Sequence, residues 1–318
     1  MYPFGVLLFG SLPFVSDFEF RISDLELRMT QPEPWTVLRL INWTKDYFDK
    51  QNVDAPRLST EVLLAYVLKC QRIQLYTRFD YVPKPEETAA FKELVQRAVK
   101  REPIAYLVGQ KEFYSLPFKV THDVLIPRQE TELLVGEAVT HLNNIGPLGV
   151  VWDCCTGSGC VGVAVASQIK DCTVLATDIS PAAVAVATEN AKLNKVDDRV
   201  RVRVADLLAK PADCADMEAF DVITANPPYI LEGDEVAPEV KHEPALALYA
   251  GKEGLELIRR VIADAPALLR ANGILTMEFG QGQADPVRDL LVSSGEFREP
   301  RILRDHQEIE RALVVQKK

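Results

Sequence analysis

The chain has 318 residues, more than a typical single domain, and 47% of them are hydrophobic, which is enough for a sizeable core and for two domains. A formal net charge of −10 and a pI near 5.1 disfavour a protein that holds a nucleic-acid backbone over a broad surface, because that binding relies on clustered Lys and Arg. Six cysteines lie mostly in apolar stretches with no histidine at zinc-ligand spacing; they are expected to be reduced, buried thiols of a cytosolic protein, and no metal site is expected.

The N-terminal stretch MYPFGVLLFGSLPFV is hydrophobic, yet it has no basic flank, no small-residue cleavage site and too little length to span a bilayer. Neither export nor anchoring is expected from it, and residues 1–28 are expected to be a loosely ordered extension, with Met29 as an alternative start. Residues 29–105 read as a small helical bundle. Periodicity begins at Val37, Leu38 and Ile41 and continues to Tyr47 and Phe48, and STEVLLAYVLKC offers a cap at Ser59. KPEETAAFKELVQRAVKR places Pro85 and acids at a helix start and basic residues at its end. Over residues 106–125 the chain turns aromatic and β-branched around Ser115 to Pro117, which predicts a hairpin linking the bundle to the C-terminal two-thirds of the chain.

From 126 to 318 strands and helices alternate. Strands are predicted at 149–154, 173–178, 200–204, 220–225, 273–279, 300–304 and 311–316, and helices at 130–143, 159–168, 180–194, 253–270 and 284–294. This alternation implies an α/β fold with a largely parallel sheet covered by helices on both faces. Ligands in such folds bind beyond the carboxyl ends of the strands, where the strand order reverses, so the strand ends carry the candidate chemistry.

The first of these strands ends in VVWDCCTGSGCVGVAVA, where Thr156, Gly157, Ser158 and Gly159 form a small-residue turn that lets a ligand approach the backbone and the helix start. The next ends in Asp178, where an acid can accept both hydroxyls of a ribose, and Asp206 near the end of the third suits an adenine edge. Gly157, Gly159 and Gly162 also meet the G-x-G-x-x-G spacing of a dinucleotide turn, so the glycines alone leave NAD open. The fourth strand runs into TANPPYILEG. Pro227 removes an N–H and pushes Asn226 towards an extended conformation, so the chain leaves the sheet there. What remains is either an ordinary Asn-Pro turn capping a strand or a rigid shelf of acceptors built from the Asn226 side chain and neighbouring carbonyls. Hydride transfer has no obvious use for such a shelf.

The tetrapeptide Asn226–Tyr229 with the glycine turn and Asp178 resembles the class I S-adenosylmethionine-dependent methyltransferases that modify amide or amino nitrogens. REPIAYLVGQKEFYSLPFKV, VLIPRQETELLV, HEPALALYAGKEGLELIR and MEFGQGQ narrow the resemblance to the PrmC/HemK family of release factor glutamine methyltransferases, over roughly residues 35–316. The resemblance implies a Rossmann-like seven-stranded sheet with an N-terminal helical bundle and a linking hairpin. It implies S-adenosyl-L-methionine as methyl donor, S-adenosyl-L-homocysteine as product, and the Gly-Gly-Gln glutamine of class I peptide chain release factors as acceptor. By the same resemblance Asn226, Pro227 and Tyr229 are catalytic, and Cys155, Thr156, Gly157, Ser158, Gly159, Asp178, Asp206, Leu207 and Asn226 bind the cofactor. Asn226, Pro227, Pro228, Tyr229 and Arg128 meet the substrate, with the cofactor's carboxylate as the other functional partner for Arg128; the plainer alternatives are that Tyr229 serves only as a wall and that Arg128 only pairs with Glu132. Glu243 is expected to support the loop after the tetrapeptide, and His242 and His306 have no assigned role.

One position departs from the family pattern. Cys155 stands where a glycine is usual, and if that position needs φ > 0 the cysteine costs about 1–2 kcal/mol and weakens cofactor binding without implying an inactive enzyme. Rival readings are a ribosomal protein L3 glutamine methyltransferase, which shares the tetrapeptide but differs after the Pro-Arg pair, an adenine methyltransferase, which the acidity disfavours, and a binding module without turnover. The expected setting is a cytoplasmic monomer that contacts neither membrane nor nucleic acid.

Overall fold

The computed structural model describes residues 34–146 and 148–318, so the extension expected over residues 1–28 lies outside the described residues. The chain divides into two compact units between Lys100 and Arg101.

In the first unit, Thr36 caps helix α1 (Val37–Lys50), its side chain accepting from the Arg39 N–H at 3.3 Å. Val37, Leu40, Ile41 and Phe48 form the buried face, whereas Leu38 is exposed. Helix α2 (Pro56–Val67) starts before the predicted cap at Ser59. Pro56 takes the first helical position, where a missing N–H costs no hydrogen bond, and Ser59 lies inside the helix with its hydroxyl donating to the Asp54 carbonyl at 2.8 Å. Glu61 on α2 is buried and accepts from Arg57, Arg72 and Tyr76, so its charge is paired rather than orphaned. After the single turn α3 (Arg72–Leu75), helix α4 (Pro85–Val99) begins as expected, with Pro85, Glu86 and Glu87 in its first turn, and buries Phe91, Leu94, Val95 and Ala98.

The second unit opens with helix α5 (Ile104–Val108) and a hairpin of strands β1 (Gln110–Phe113) and β2 (Leu116–Lys119). Its turn is Tyr114–Ser115, both with positive φ (50° and 60°), the conformation whose twist matches two antiparallel strands. The turn predicted at Ser115 to Pro117 is therefore one residue too late, and Pro117 sits within β2, tolerated because a two-stranded ribbon is all edge. Seven strands come after it: β3 (Val150–Cys154), β4 (Thr173–Asp178), β5 (Val200–Val204), β6 (Phe220–Ala225), β7 (Leu269–Glu278), β8 (Arg301–Arg304) and β9 (Glu310–Gln316). Their order is β5-β4-β3-β6-β7-β9-β8, with the first five parallel and β9 antiparallel to both its neighbours. All seven correspond to predicted strands. β7 starts four residues earlier than expected because Leu269 already pairs with Phe220, and the chain passes through Asn272 (φ 64°) before Ile274 pairs with Val222.

Helices α6 (Glu132–Ile145), α7 (Cys160–Gln168) and α8 (Pro181–Leu193) cover one face of the sheet, and α9 (Glu256–Leu268) and α10 (Ala284–Ser294) the other. The period of two along each strand distributes the core. Val151, Val174, Val222 and Ile274 pack with α6, α7 and α8, while their neighbours Trp152, Leu175, Ile223 and Leu275 pack with α9 and α10. Trp152 is fully buried against Phe220, ring centroids 4.9 Å apart, and its indole N–H donates to Thr177 Oγ1 at 2.8 Å. Trp152→Phe should lower the unfolding free energy by about 2–3 kcal/mol, read from urea denaturation, because it opens space and leaves the Thr177 hydroxyl without that donor; a loss under about 0.5 kcal/mol would show that neither matters.

Candidate active site

The strand order reverses between β3 and β6: from β3 the chain builds outward through β4 and β5, and from β6 through β7 in the opposite direction. At the carboxyl ends of these strands lies a cavity of about 270 Å³, where a doubly wound sheet places its ligands. Cys155, Thr156, Gly157 and Ser158 after β3, Asp178 at the end of β4, Asp206 and Leu207 after β5, and Asn226 and Pro228 after β6 all line it, and Arg128 joins them. Gly159, Pro227 and Tyr229 do not reach its surface. Gly159 instead caps α7 at φ 81°, where a Cβ would stand 3.1 Å from that of Ala187.

Asp153, which sequence reasoning passed over, organises the glycine turn. It is 2% exposed, and its Oδ2 accepts from Thr156 Oγ1 at 2.5 Å and the Gly162 N–H at 3.0 Å, while Oδ1 accepts from Thr224 Oγ1 at 2.7 Å. Burial pushes its carboxyl up to about 6, the three hydrogen bonds opposing the shift. The available signal was an acid inside the otherwise apolar run VVWDCC. Cys155 has φ 56°, so the position does require the left-handed region and the cysteine carries the cost of about 1–2 kcal/mol that a glycine avoids. Gly157 follows at φ 54° with open space where a Cβ would stand.

The Gly157 N–H donates to Asp178 Oδ2 and the Ser180 N–H to Oδ1, both at 2.9 Å, and each oxygen keeps lone pairs for a ribose diol. Burial raises the Asp178 pKa against these bonds. Ser158 Oγ is buried at the cavity wall beside the Cys160 thiol. With apolar Leu207 and Ile179 flanking the carboxylates, this donor and acceptor set fits the adenosyl part of S-adenosylmethionine. At the rim, Arg260 Nη2 donates to Asp206 Oδ2 at 2.8 Å, a half-exposed pair worth at most about 1 kcal/mol. No local pattern announces Arg260, since it lies 54 residues from its partner.

Arg128 pairs with the buried Glu243, whose other oxygen accepts from the Ile126 N–H at 3.0 Å. Glu132, the partner considered from sequence, instead accepts from the Tyr114 N–H at 2.8 Å. Glu243 thereby holds residues 126–128 at the cavity edge. Behind the shelf, Asn226 Nδ2 donates to Thr131 Oγ1 at 3.2 Å, Thr131 Oγ1 donates to Glu278 Oε2 at 2.6 Å, and the Tyr229 hydroxyl donates to Glu278 Oε1 at 3.1 Å. Thr131 and Glu278 are 3% and 2% exposed. Burial raises the pKa of Glu278, and burial beside that carboxylate raises that of Tyr229.

The raised pKa of Asp153 sets a pH dependence. The folded protein binds this proton more tightly than the unfolded chain, whose carboxyl titrates near 3.8, so this group favours folding increasingly as pH falls through 6 towards 3.8. Relative to Asp153→Asn, wild-type stability should rise by most of about 3 kcal/mol between pH 7 and pH 4. Urea midpoints of both proteins across that window measure it, and parallel curves would overturn it.

A sequence profile described as "PrmC N-terminal domain" matches residues 39–109, and one described as "Methyltransferase small domain" matches residues 129–245. The chain is 40% identical over 292 residues to a release factor glutamine methyltransferase of Rhodopirellula baltica, covering 89% of this chain and 97% of that one. It is 40% identical over 268 residues to its counterpart in Geobacter sulfurreducens, covering 83% and 91%. Among solved structures, the hMettl16 catalytic domain shares the fold with a TM-score of 0.52 at 17% identity, over 68% of this chain and 80% of that one. Identity at this level along nearly the whole length of both relatives, on a methyltransferase fold with the strand-end residues gathered in one cavity, shows that the chain belongs to the release factor glutamine methyltransferase family.

Proposed function

We propose that this protein transfers a methyl group from S-adenosylmethionine to the side-chain amide nitrogen (N5) of the Gly-Gly-Gln glutamine in peptide chain release factors. The observation that carries this reading is the placement of Asn226 at the end of β6, in the same cavity as the glycine turn and Asp178, in a chain so similar to enzymes of that name. When bound, S-adenosylmethionine supplies a methyl group on a sulfonium, an electrophile that needs only in-line attack. Asp178 would accept the ribose hydroxyls, the turn from Cys155 to Ser158 would receive the cofactor against the backbone, and Asp206 and Leu207 would border the adenine side.

The acceptor amide is a poor nucleophile because its lone pair is delocalised into its carbonyl. The Asn226 side-chain oxygen at the cavity wall accepts one of its N–H bonds, holds the nitrogen facing the cofactor and favours its pyramidalisation, while the buried Pro227 fixes the backbone behind it. Acceptors held in place before reaction stabilise the charge that develops on the nitrogen. Holding both reactants at attack distance contributes up to about 7–11 kcal/mol in favourable cases. The proton leaves after methyl transfer, so no strong base is needed. Pro228 and Arg128 face the incoming glutamine, and Tyr229 supports the shelf from behind. The helices of the first unit contribute grip on the release factor. None of the described helices is long and apolar enough to cross a membrane, and the working form in this reading is a cytoplasmic monomer acting on protein rather than nucleic acid.

Labelled S-adenosylmethionine offered with purified release factor, ribosomal protein L3 and DNA should mark the Gly-Gly-Gln glutamine, located by mass spectrometry; label confined to L3 or DNA would move the substrate. In the same assay Asn226→Ala should lower kcat by about 10²-fold or more while cofactor Kd changes little. Equal losses in both would count against the orienting role.

A further inference from the structure

A side-chain amide has nearly the same shape whichever way round it sits, so whether Asn226 presents an oxygen or an NH₂ to the cavity depends on what holds its other end. Both Asn226 and Thr131 line the cavity, and Asn226 Nδ2 lies 3.2 Å from Thr131 Oγ1. The Thr131 hydroxyl has one proton, and it is given to Glu278 Oε2 at 2.6 Å. As a carboxylate Glu278 only accepts, here from Thr131 on one oxygen and from Tyr229 on the other. Thr131 Oγ1 is therefore left with lone pairs alone towards Asn226, and only the NH₂ end satisfies them. A flipped Asn226 would set two oxygens against each other with no proton between them, a mismatch at a half-buried contact.

We infer that Thr131, backed by Glu278, is a positioning residue that locks the Asn226 amide with its oxygen directed at the substrate nitrogen. The inference rests on the glutamine-methylating role proposed above and adds what makes the acceptor shelf an acceptor. The three side chains come from the residue before α6, the end of β7 and the segment after β6, so the polarity of the shelf is a property of the packed domain. Thr131 reaches the reaction only through Asn226. Its loss should therefore spare binding of the cofactor and affect the step in which Asn226 holds the amide.

The test is steady-state methylation of intact release factor by Thr131→Val and Thr131→Ser, with cofactor Kd measured by calorimetry. Thr131→Val, similar in shape but unable to accept or donate, should lower kcat by about 30-fold, with cofactor Kd and release factor KM within about threefold of wild type. Thr131→Ser keeps the hydroxyl and should stay within about threefold of wild-type kcat. A Val variant with unchanged kcat, equal losses in kcat and cofactor affinity, or a Ser variant as impaired as Val would each overturn the inference. Should the Val variant fail to fold, Thr131→Ala beside Thr131→Ser makes the same comparison, with low kcat expected for Ala and retained kcat for Ser. A wild-type protein that labels no Gly-Gly-Gln glutamine sinks the underlying reading and this inference together, whereas wild-type labelling with an unimpaired Val variant sinks the inference alone.

Discussion

The buried carboxylate of Asp153 is the constraint on which the rest of the site depends. It sits on β3 at the point where the strand order reverses, and it accepts from Thr224 on β6, from Thr156 in the glycine turn and from the start of α7 at Gly162. One side chain thus ties the glycine turn at the cavity wall to the strand that delivers Asn226. The two strands are also paired in parallel register from Val151 with Val222 to Cys154 with Ala225. A slip of one residue would turn Asn226 and Cys155 to opposite faces of the sheet. Keeping an acid in this environment runs against burial, and its three hydrogen bonds oppose that cost.

Around this clasp the site is built from groups that are already partnered. Asp178 is held by two backbone N–H groups, Arg128 by Glu243, and Asn226 through Thr131 by Glu278. Such pairing lets each group present its remaining lone pairs or face in a fixed direction, which is what a reaction with a weak nucleophile requires. Cys155 adds backbone strain to this arrangement, a side chain held in the left-handed region that the family pattern leaves to glycine. Gly157 and Gly159 keep the remainder of the turn unstrained.

The elements themselves were legible because they arise from short-range rules. The seven strands of the sheet and the five helices that cover it stand out by periodicity and by their turn residues, and α10 has the predicted bounds. Misreadings came where two local signals competed. Ser59 is a good cap residue, but Pro56 had already begun the helix before it, and Pro117 suggested a turn that Tyr114 and Ser115 make one step earlier. The strand-end residues Asp178, Asp206 and Asn226 were legible for a similar reason: parallel strands all deliver their carboxyl ends to one edge, so position along the chain predicts position in the fold.

The α/β class, the seven strands, the family and the strand-end residues that line one cavity could all be read from the chain alone. The tertiary structure decided how those residues are held. The pairs that matter most join Arg128 to Glu243, Asn226 to Thr131 and Thr131 to Glu278, across 115, 95 and 147 residues of chain. No helix or strand period spans such separations, and a carboxylate's partners depend on which buried groups packing brings within about 3 Å of it. The choice of Glu243 over the nearby Glu132 for Arg128, and the direction in which the Asn226 amide points, were therefore settled only when the loops closed over the sheet.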